Sequence, residues 1–288
     1  MDKDDLIKKA VYFVNKSQDN IINKEIAISD ELVSMKIFED PIFGFSSAES
    51  DDFNRLKDPL IVGGHFLLPK EWMSEAKTVV SFFLPFTEQV RKANKRDMKQ
   101  PSAEWLHARI EGQAFIDDLC RYIQKELSDK GYKTLVPSLD DRFWSKKSRS
   151  QIKDGKKEDY DYKDTVSFTS NWSERHVAFI SGLGTFGLSK GLITKKGVAG
   201  RFGSLITELE LPIDKIEYSD IYENCSMCGA CIRNCPANAI SMDKGKNHDL
   251  CAAFLRKTKE KYNPRLGCGK CQVGVPCEDH IPVSFGRS

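Results

Sequence analysis

The strongest periodic pattern in the chain runs over residues 102–128, where Phe115, Leu119, Ile123 and Leu127 recur four apart. Apolar residues at that spacing share one face of a helix. Ser102 after Pro101 supplies a cap, and Gly131 marks the stop. Residues 4–24 also read as a helix, with Leu6, Ala10, Phe13, Val14, Ile21 and Ile22 at helical spacing. Thr78 to Leu84 is an unbroken β-branched and aromatic run ended by Pro85, the pattern of a buried strand. Tyr132 to Val136, Leu192 to Thr194 and Phe202 to Leu211 predict further strands. Ser173 to Ile180 predicts a short capped helix closed by Gly182. Residues 40–72 are rich in Pro, Gly and Ser and predict irregular structure. Residues 141–165 hold many Lys, Asp and Ser with almost no aliphatics, which predicts an exposed insertion. Within it, Lys146-Lys147-Ser148-Arg149 reads as a solvated loop rather than a phosphate site, because Asp154, Glu158, Asp159 and Asp161 follow. Helices and strands mix without strict βαβ alternation, so the fold class is α+β.

Composition narrows this picture. A chain of 288 residues suggests two domains, or one large domain with a small appendage. Hydrophobic residues at 40% and charged residues at 30% fit an ordinary soluble globular protein. The net charge of +2 gives no global electrostatic case for a DNA or membrane partner. The acidic start, Met1-Asp2-Lys3-Asp4-Asp5, lacks the form of a secretory signal, and no apolar run approaches the roughly 20 residues that span a bilayer. A cytoplasmic location is the expectation.

Cysteine placement changes the picture most. Cys120 stands alone on the 102–128 helix, as a core thiol would, and the other eight cysteines fall between Cys225 and Cys277. In a reducing compartment such a cluster points to metal rather than disulfides. Cys225-Ser-Met-Cys228-Gly-Ala-Cys231-Ile-Arg-Asn-Cys235-Pro236 has the C-x2-C-x2-C-x3-C-P spacing of bacterial two-cluster ferredoxins. Three thiolates two residues apart can wrap one corner of a cubane, because Gly229 and Ala230 let the chain curl. The fourth cysteine is carried past that cluster and ligates the other one. The second group is Cys251, Cys268, Cys271 and Cys277. A crossed arrangement is therefore expected, with Cys225, Cys228, Cys231 and Cys277 holding one [4Fe-4S] cluster and Cys235, Cys251, Cys268 and Cys271 the other. Two structural zinc ions would use the same eight cysteines, but zinc sites rarely use this spacing.

Gly182-Leu-Gly184-Thr-Phe-Gly187 matches G-x-G-x-x-G, yet a helix precedes it and a strand follows. That order is the reverse of a dinucleotide site. Gly182 suits a helix end with positive φ, while Gly184 and Gly187 would let the backbone approach either its own fold or a cofactor.

Glu174-Arg175, then Gly182-Leu-Gly184-Thr-Phe-Gly187, Ile193-Thr194 and Arg201-Phe202-Gly203-Ser204-Leu205, running on into the cysteine groups, resemble the core of epoxyqueuosine reductases. Corrinoid reductive dehalogenases share a related pattern, and the resemblance covers roughly residues 76–136 and 171–280. It implies a nitroreductase-like α/β sandwich over residues 1–218 that binds cobalamin, followed by a two-cluster ferredoxin-like domain over 219–288. By the same resemblance Gly182, Gly184, Gly187 and Arg175 are the candidate cofactor-binding positions. Two departures stand out. The catalytic aspartate of epoxyqueuosine reductases falls at Pro137 or Phe168 here, neither acidic, which leaves Asp140, Asp141 or Asp164 as substitutes. The helical-repeat extension that many of those enzymes use near tRNA is missing, and so is a twin-arginine signal of respiratory dehalogenases.

The expected function is an iron–sulfur oxidoreductase that passes low-potential electrons from an external donor through two clusters to cobalamin or substrate. The substrate would be a small molecule or a tRNA-linked group. The alternative is a non-catalytic ferredoxin-type carrier serving a partner corrinoid protein.

Overall fold

The computed structural model describes residues 1–146 and 169–283. Its centre is a four-stranded antiparallel sheet in the order β1 (Ile42–Ser47), β2 (Thr78–Pro85), β8 (Gly200–Thr207), β3 (Thr134–Leu135). All eight residues of β2 are buried, as the unbroken apolar run predicts for a strand covered on both faces. Val80, Phe82 and Leu84 face one core together with Leu205, and Val79 faces the other together with Ile206. That is the period of two at work.

The first face is covered by α1 (Lys3–Lys16) and α5 (Ala103–Ser128). In α5 the predicted stripe is buried, and the Ser102 hydroxyl caps the helix by accepting from Trp105 N at 3.2 Å. Phe115 stacks on Phe13 and Phe38. The expected helix over 4–24 is cut short at Lys16. Ser17 is extended and caps a 3₁₀ turn, and buried Asn20 donates to Val14 O and Phe38 O, which turns the chain back. Ile22 still enters the core, but from a loop rather than a helix.

The second face is covered by α6 (Glu174–Ile180), with α2 (Asp51–Arg55) and α3 (Pro69–Trp72) at its margin. Gly44, Ser81 and Ser204 sit side by side across β1, β2 and β8. These small residues let the end of α6 come close. A Cβ on Gly44 would collide with the Ser181 carbonyl oxygen, and Ser46 Oγ lies 3.1 Å from Ser181 Oγ. Between β2 and α5 lies α4 (Glu88–Ala93). The expected insertion has a described base, where β4 (Ser145–Lys146) pairs with β5 (Thr169–Ser170). The rest of it lies outside the described residues, as do Asp164 and Phe168.

After α6 the chain forms a hairpin of β6 (Gly184–Phe186) and β7 (Leu192–Thr194). The last strand of the central sheet, β8, ends earlier than the expected 202–211, because Leu209 N turns back to Thr207 Oγ1. The cysteine-rich segment adds α7 (Ala230–Arg233), a two-residue ladder of β9 (Ile240–Ser241) with β10 (Gly245–Lys246), and α8 (His248–Tyr262). Among the described residues no helix is long and apolar enough to cross a membrane.

Candidate redox centre

The cysteine-rich segment is seated on the body by specific polar contacts. Asn224 donates to Ile193 O at 2.8 Å, and Val198 N donates to Cys277 O at 2.9 Å. Lys95 pairs with Glu278 at 2.9 Å. Asn94, at the end of α4, donates to Cys268 O at 2.9 Å. The Lys270 ammonium, 1% exposed, donates to Asn94 O and Oδ1 at 2.6 and 2.8 Å. Gly269, at φ +69°, lies flat against Trp105, where a side chain would collide with the indole. None of these docking residues follows from cysteine spacing alone. Lys270, between Cys268 and Cys271, is the one of them that stands inside a cysteine pair in the sequence.

Cys225, Cys228, Cys231 and Cys277 line one open cleft with about 350 Å³ of empty space, which Gly187, Gly229 and Val275 also line. Burial, then the neighbouring Cys225, Cys231 and Cys228 sulfurs, push the Cys277 thiol up to about 12. Crowding of this kind favours a bound cation that takes the protons' place. The five residues between Cys271 and Cys277 therefore do not keep Cys277 from the first three.

The remaining four gather beside it. Cys251 lies near Cys271 and Cys235, and Cys268 near Cys271 and Cys251. Burial pushes the Cys268 thiol up to about 12. Ala239 N lies 3.3 Å from Cys235 Sγ, a backbone N–H aimed at a ligand sulfur. Cys231 of the first set feels Cys271 of the second, so the two sets adjoin. Among the described residues no three of His, Cys, Asp and Glu converge tightly enough for a single metal ion. Cys120 is fully buried in the core and apart from both sets.

Around the second set the side chains are cationic. Lys246 works against burial but is held protonated by the Cys271 and Cys251 sulfurs, with a hydrogen bond to Cys251. Arg175 is pulled down by burial and raised by Cys271 and Cys251, and it donates to Lys190 O. His248 is pushed down to about 4 by burial and then by Lys246, Lys190 and Arg175.

From Arg175 a set of partly exposed polar side chains, here called the recess, leads back to the sheet. Arg109, Glu174, Arg175, His176 and Arg201 all keep accessible surface, yet burial is the largest influence on each one's ionisation. Arg201 is brought down to about 9 by burial and then by Arg109, and it donates to Gln113 on α5. Its buried Nε has no hydrogen-bond partner among the described residues. Glu174 is pushed up to about 7, by burial first. Trp172 Nε1 donates to Ser204 Oγ at 2.9 Å, and Ser204 Oγ donates to Glu174 Oε2 at 2.6 Å.

The other sequence candidates fall as follows. Gly182 has φ +79° and closes α6 as expected. Gly184 lies against the Ile193 carbonyl, so packing in the β6–β7 hairpin accounts for its lack of a side chain. Gly187 lies beside Ile193 and 3.6 Å, as a would-be Cβ, from Cys225 Sγ. Of the substitute acids, Asp140 is clamped by Arg142 at 2.8 and 3.0 Å and held below the usual carboxylate range, which leaves it no proton to give at neutral pH. Asp141 is an exposed turn residue. Glu174 was quoted in the sequence as part of a motif; its acidity became visible only with its burial.

Comparisons with known proteins agree with this geometry. A 4Fe-4S binding domain matches residues 218–241. The chain is 31% identical over 118 residues to an epoxyqueuosine reductase of Bacillus cereus, covering 38% of this chain and 30% of that one. It is 24% identical over 269 residues to an epoxyqueuosine reductase of Lactococcus garvieae, covering 84% and 67%. A tetrachloroethene reductive dehalogenase of Desulfitobacterium hafniense is 41% identical over 114 residues, covering 37% and 21%. Among solved structures, an epoxyqueuosine reductase superposes with a TM-score of 0.54 at 18% identity, covering 98% of this chain and 68% of that one. An epoxyqueuosine reductase with an epoxyqueuosine-modified tRNA stem loop gives 0.50 at 19%, covering 82% and 61%. A reductive dehalogenase described with a mechanism for B12-dependent dehalogenation gives 0.50 at 16%, covering 84% and 30%. The match to the Bacillus cereus protein spans less than a third of that protein's length.

Fold and site together define an iron–sulfur protein with an α+β body and at least one [4Fe-4S] cluster in its C-terminal segment. Within that class the chain is similar over part of its length to epoxyqueuosine reductases and to a tetrachloroethene reductive dehalogenase.

Proposed function

We propose that this protein is a reductase with two [4Fe-4S] clusters held in crossed sets, Cys225, Cys228, Cys231 and Cys277 for one and Cys235, Cys251, Cys268 and Cys271 for the other. In this reading residues 1–218 are a nitroreductase-like body and residues 219–288 a two-cluster ferredoxin-like domain. The observation that carries it is the adjoining of the two sulfur sets, with the second next to Arg175 at the recess.

Cys225, Cys228, Cys231 and Cys277 would hold a cluster that an external low-potential donor could reach on the exposed Cys228 side, and Cys235, Cys251, Cys268 and Cys271 would hold the second. Arg175, Arg201 and Arg109 would meet the amide and phosphate oxygens of a corrinoid bound at the recess, and the Arg201 Nε, without a partner among the described residues, is a donor available to one of them. Bound there, the corrinoid would supply a strongly reducing metal centre. The chain's own part is positioning, exclusion of bulk water and a proton. Glu174 carries a proton near neutral pH, and the Ser204 hydroxyl, oriented by Trp172, supports its carboxylate once the proton leaves. The relatives' names offer two substrate chemistries, reduction of epoxyqueuosine in tRNA and removal of halide from a chlorinated alkene.

The test is anaerobic reconstitution of the clusters followed by titration with cobalamin, read by binding heat and absorbance. Tight binding with a base-off spectrum is expected. Intact clusters with no cobalamin binding would overturn the corrinoid assignment and leave an electron carrier.

A further inference from the structure

The loop from Cys268 to Glu278 carries three of the eight clustered cysteines, Cys268 and Cys271 of one set and Cys277 of the other. The end of α4 holds this loop at two places. Asn94 Nδ2 donates to Cys268 O at 2.9 Å. Asn94 Oδ1 accepts from Ser102 N at 3.1 Å and from Lys270 Nζ at 2.8 Å, and Lys270 also donates to Asn94 O at 2.6 Å. Asn94 is fully buried, so water cannot replace these bonds when one is lost. The next residue grips the other end. Lys95 Nζ donates to both Glu278 carboxylate oxygens, at 2.9 and 3.2 Å. Glu278 is itself buried and accepts from Gly274 N at 2.6 Å, while its own N–H donates to Val275 O at 3.0 Å. These bonds close a turn around Cys277. Arg91, one turn earlier on α4, lies 3.6 Å from the same carboxylate and 3.5 Å from that of Asp279. The five residues before Cys277 serve the same seating: Val273 among them is fully buried and joins the body core that holds Val90 and Trp105.

Resting on the two-cluster reading, we propose that Asn94 and Lys95, adjacent in the chain, are positioning residues for different clusters. Asn94 positions the cluster of Cys235, Cys251, Cys268 and Cys271 through the Cys268 carbonyl and Lys270. Lys95, through Glu278, positions the cluster of Cys225, Cys228, Cys231 and Cys277. Each acts on the ligand loop and leaves the sulfurs to the metal. A loop held in place before the metal arrives has less chain entropy to lose on binding, and it gives the metal up more slowly. The share of Lys95 is the smaller one. Its side chain is 37% exposed, and Val198 N holds the Cys277 carbonyl independently. Cysteine spacing predicts neither residue, because both lie far upstream of Cys225.

The test uses the full chain, reconstituted anaerobically without cobalamin. Iron is counted first, and about four irons per chain would overturn the two-cluster reading and this proposal with it. With about eight the reading stands, and the proposal is tested by itself. Excess bipyridyl then draws iron from the protein, and the clusters that remain are followed over time by electron paramagnetic resonance after dithionite reduction. Cys268→Ser and Cys277→Ser identify which signal belongs to which set. Asn94→Leu is expected to speed loss of the Cys268-set signal about tenfold and leave the other at the wild-type rate. Lys95→Met is expected to speed loss of the Cys277-set signal about threefold and leave the first unchanged. Lys95→Arg, which can still pair with Glu278, restores the wild-type rate, and Lys92→Met, at an exposed lysine of α4, changes neither signal. If Asn94→Leu gives no folded protein, Asn94→Asp makes the same comparison, keeping the acceptor for Lys270 and losing the donor to Cys268 O. Faster loss of the same signal in both variants, equal speeding of both signals, or unchanged rates overturns the proposal.

Discussion

The sheet body and the cysteine-rich segment are held together by different physics. In the body, α5 buries one long stripe of side chains, including Phe115, Ile116, Leu119, Ile123 and Leu127, against α1 and the sheet. In the segment, α8 is fifteen residues long and buries Thr258 alone. The body has a core that water drives together. The segment has seven half-buried cysteines, an exposed Cys228 and a few docking contacts, and a metal centre held by the cysteines would supply what its thin core does not. Sequence periodicity therefore speaks for the body and ligand spacing for the segment.

That contrast can be broken by removing the metal. Chelation of the iron under anaerobic conditions is expected to abolish hydrogen-exchange protection in α7 and α8 while β2 and α5 stay protected. Loss of protection in both regions at once would show that the body has no independent stability. The reverse perturbation is Phe115→Ala, expected to cost about 3–5 kcal/mol of body stability in chemical unfolding while the cluster absorbance of the folded fraction is unchanged. Smaller, and specific to the recess, is the charge on Glu174. Its proton is held more tightly folded than unfolded, so its stabilisation is complete below about 4.5 and is lost as pH rises through about 7. Wild type should lose up to roughly 3 kcal/mol relative to Glu174→Gln across that window, and parallel stability curves for the two proteins would contradict the burial of this acid. Smallest is Ser102→Ala, which removes the cap of α5 and should cost about 1 kcal/mol, read as a lower thermal midpoint with both sulfur sites intact.

Much of this arrangement was written in local pattern. The α5 stripe, the β2 run and the Ser102 cap needed only neighbours along the chain. So did the grouping of the cysteines, because a cubane is wrapped by residues two apart. What escaped was assembled across the chain. Asn20 shortened α1 through bonds to Val14 and Phe38, which no periodicity records. The recess takes Arg109 from α5, Glu174 from α6 and Arg201 from β8, and they meet only because Gly44, Ser81 and Ser204 bring α6 down on the sheet. The G-x-G-x-x-G stretch drew attention as a cofactor motif, whereas Gly184 answers to the Ile193 carbonyl within its own hairpin.

The most direct test of the central claim is the metal content of the anaerobically reconstituted chain. Two crossed clusters predict about eight irons and eight labile sulfides per chain, with two distinguishable reduced signals in electron paramagnetic resonance. About four of each would contradict the second site, and stoichiometric zinc without sulfide would contradict both.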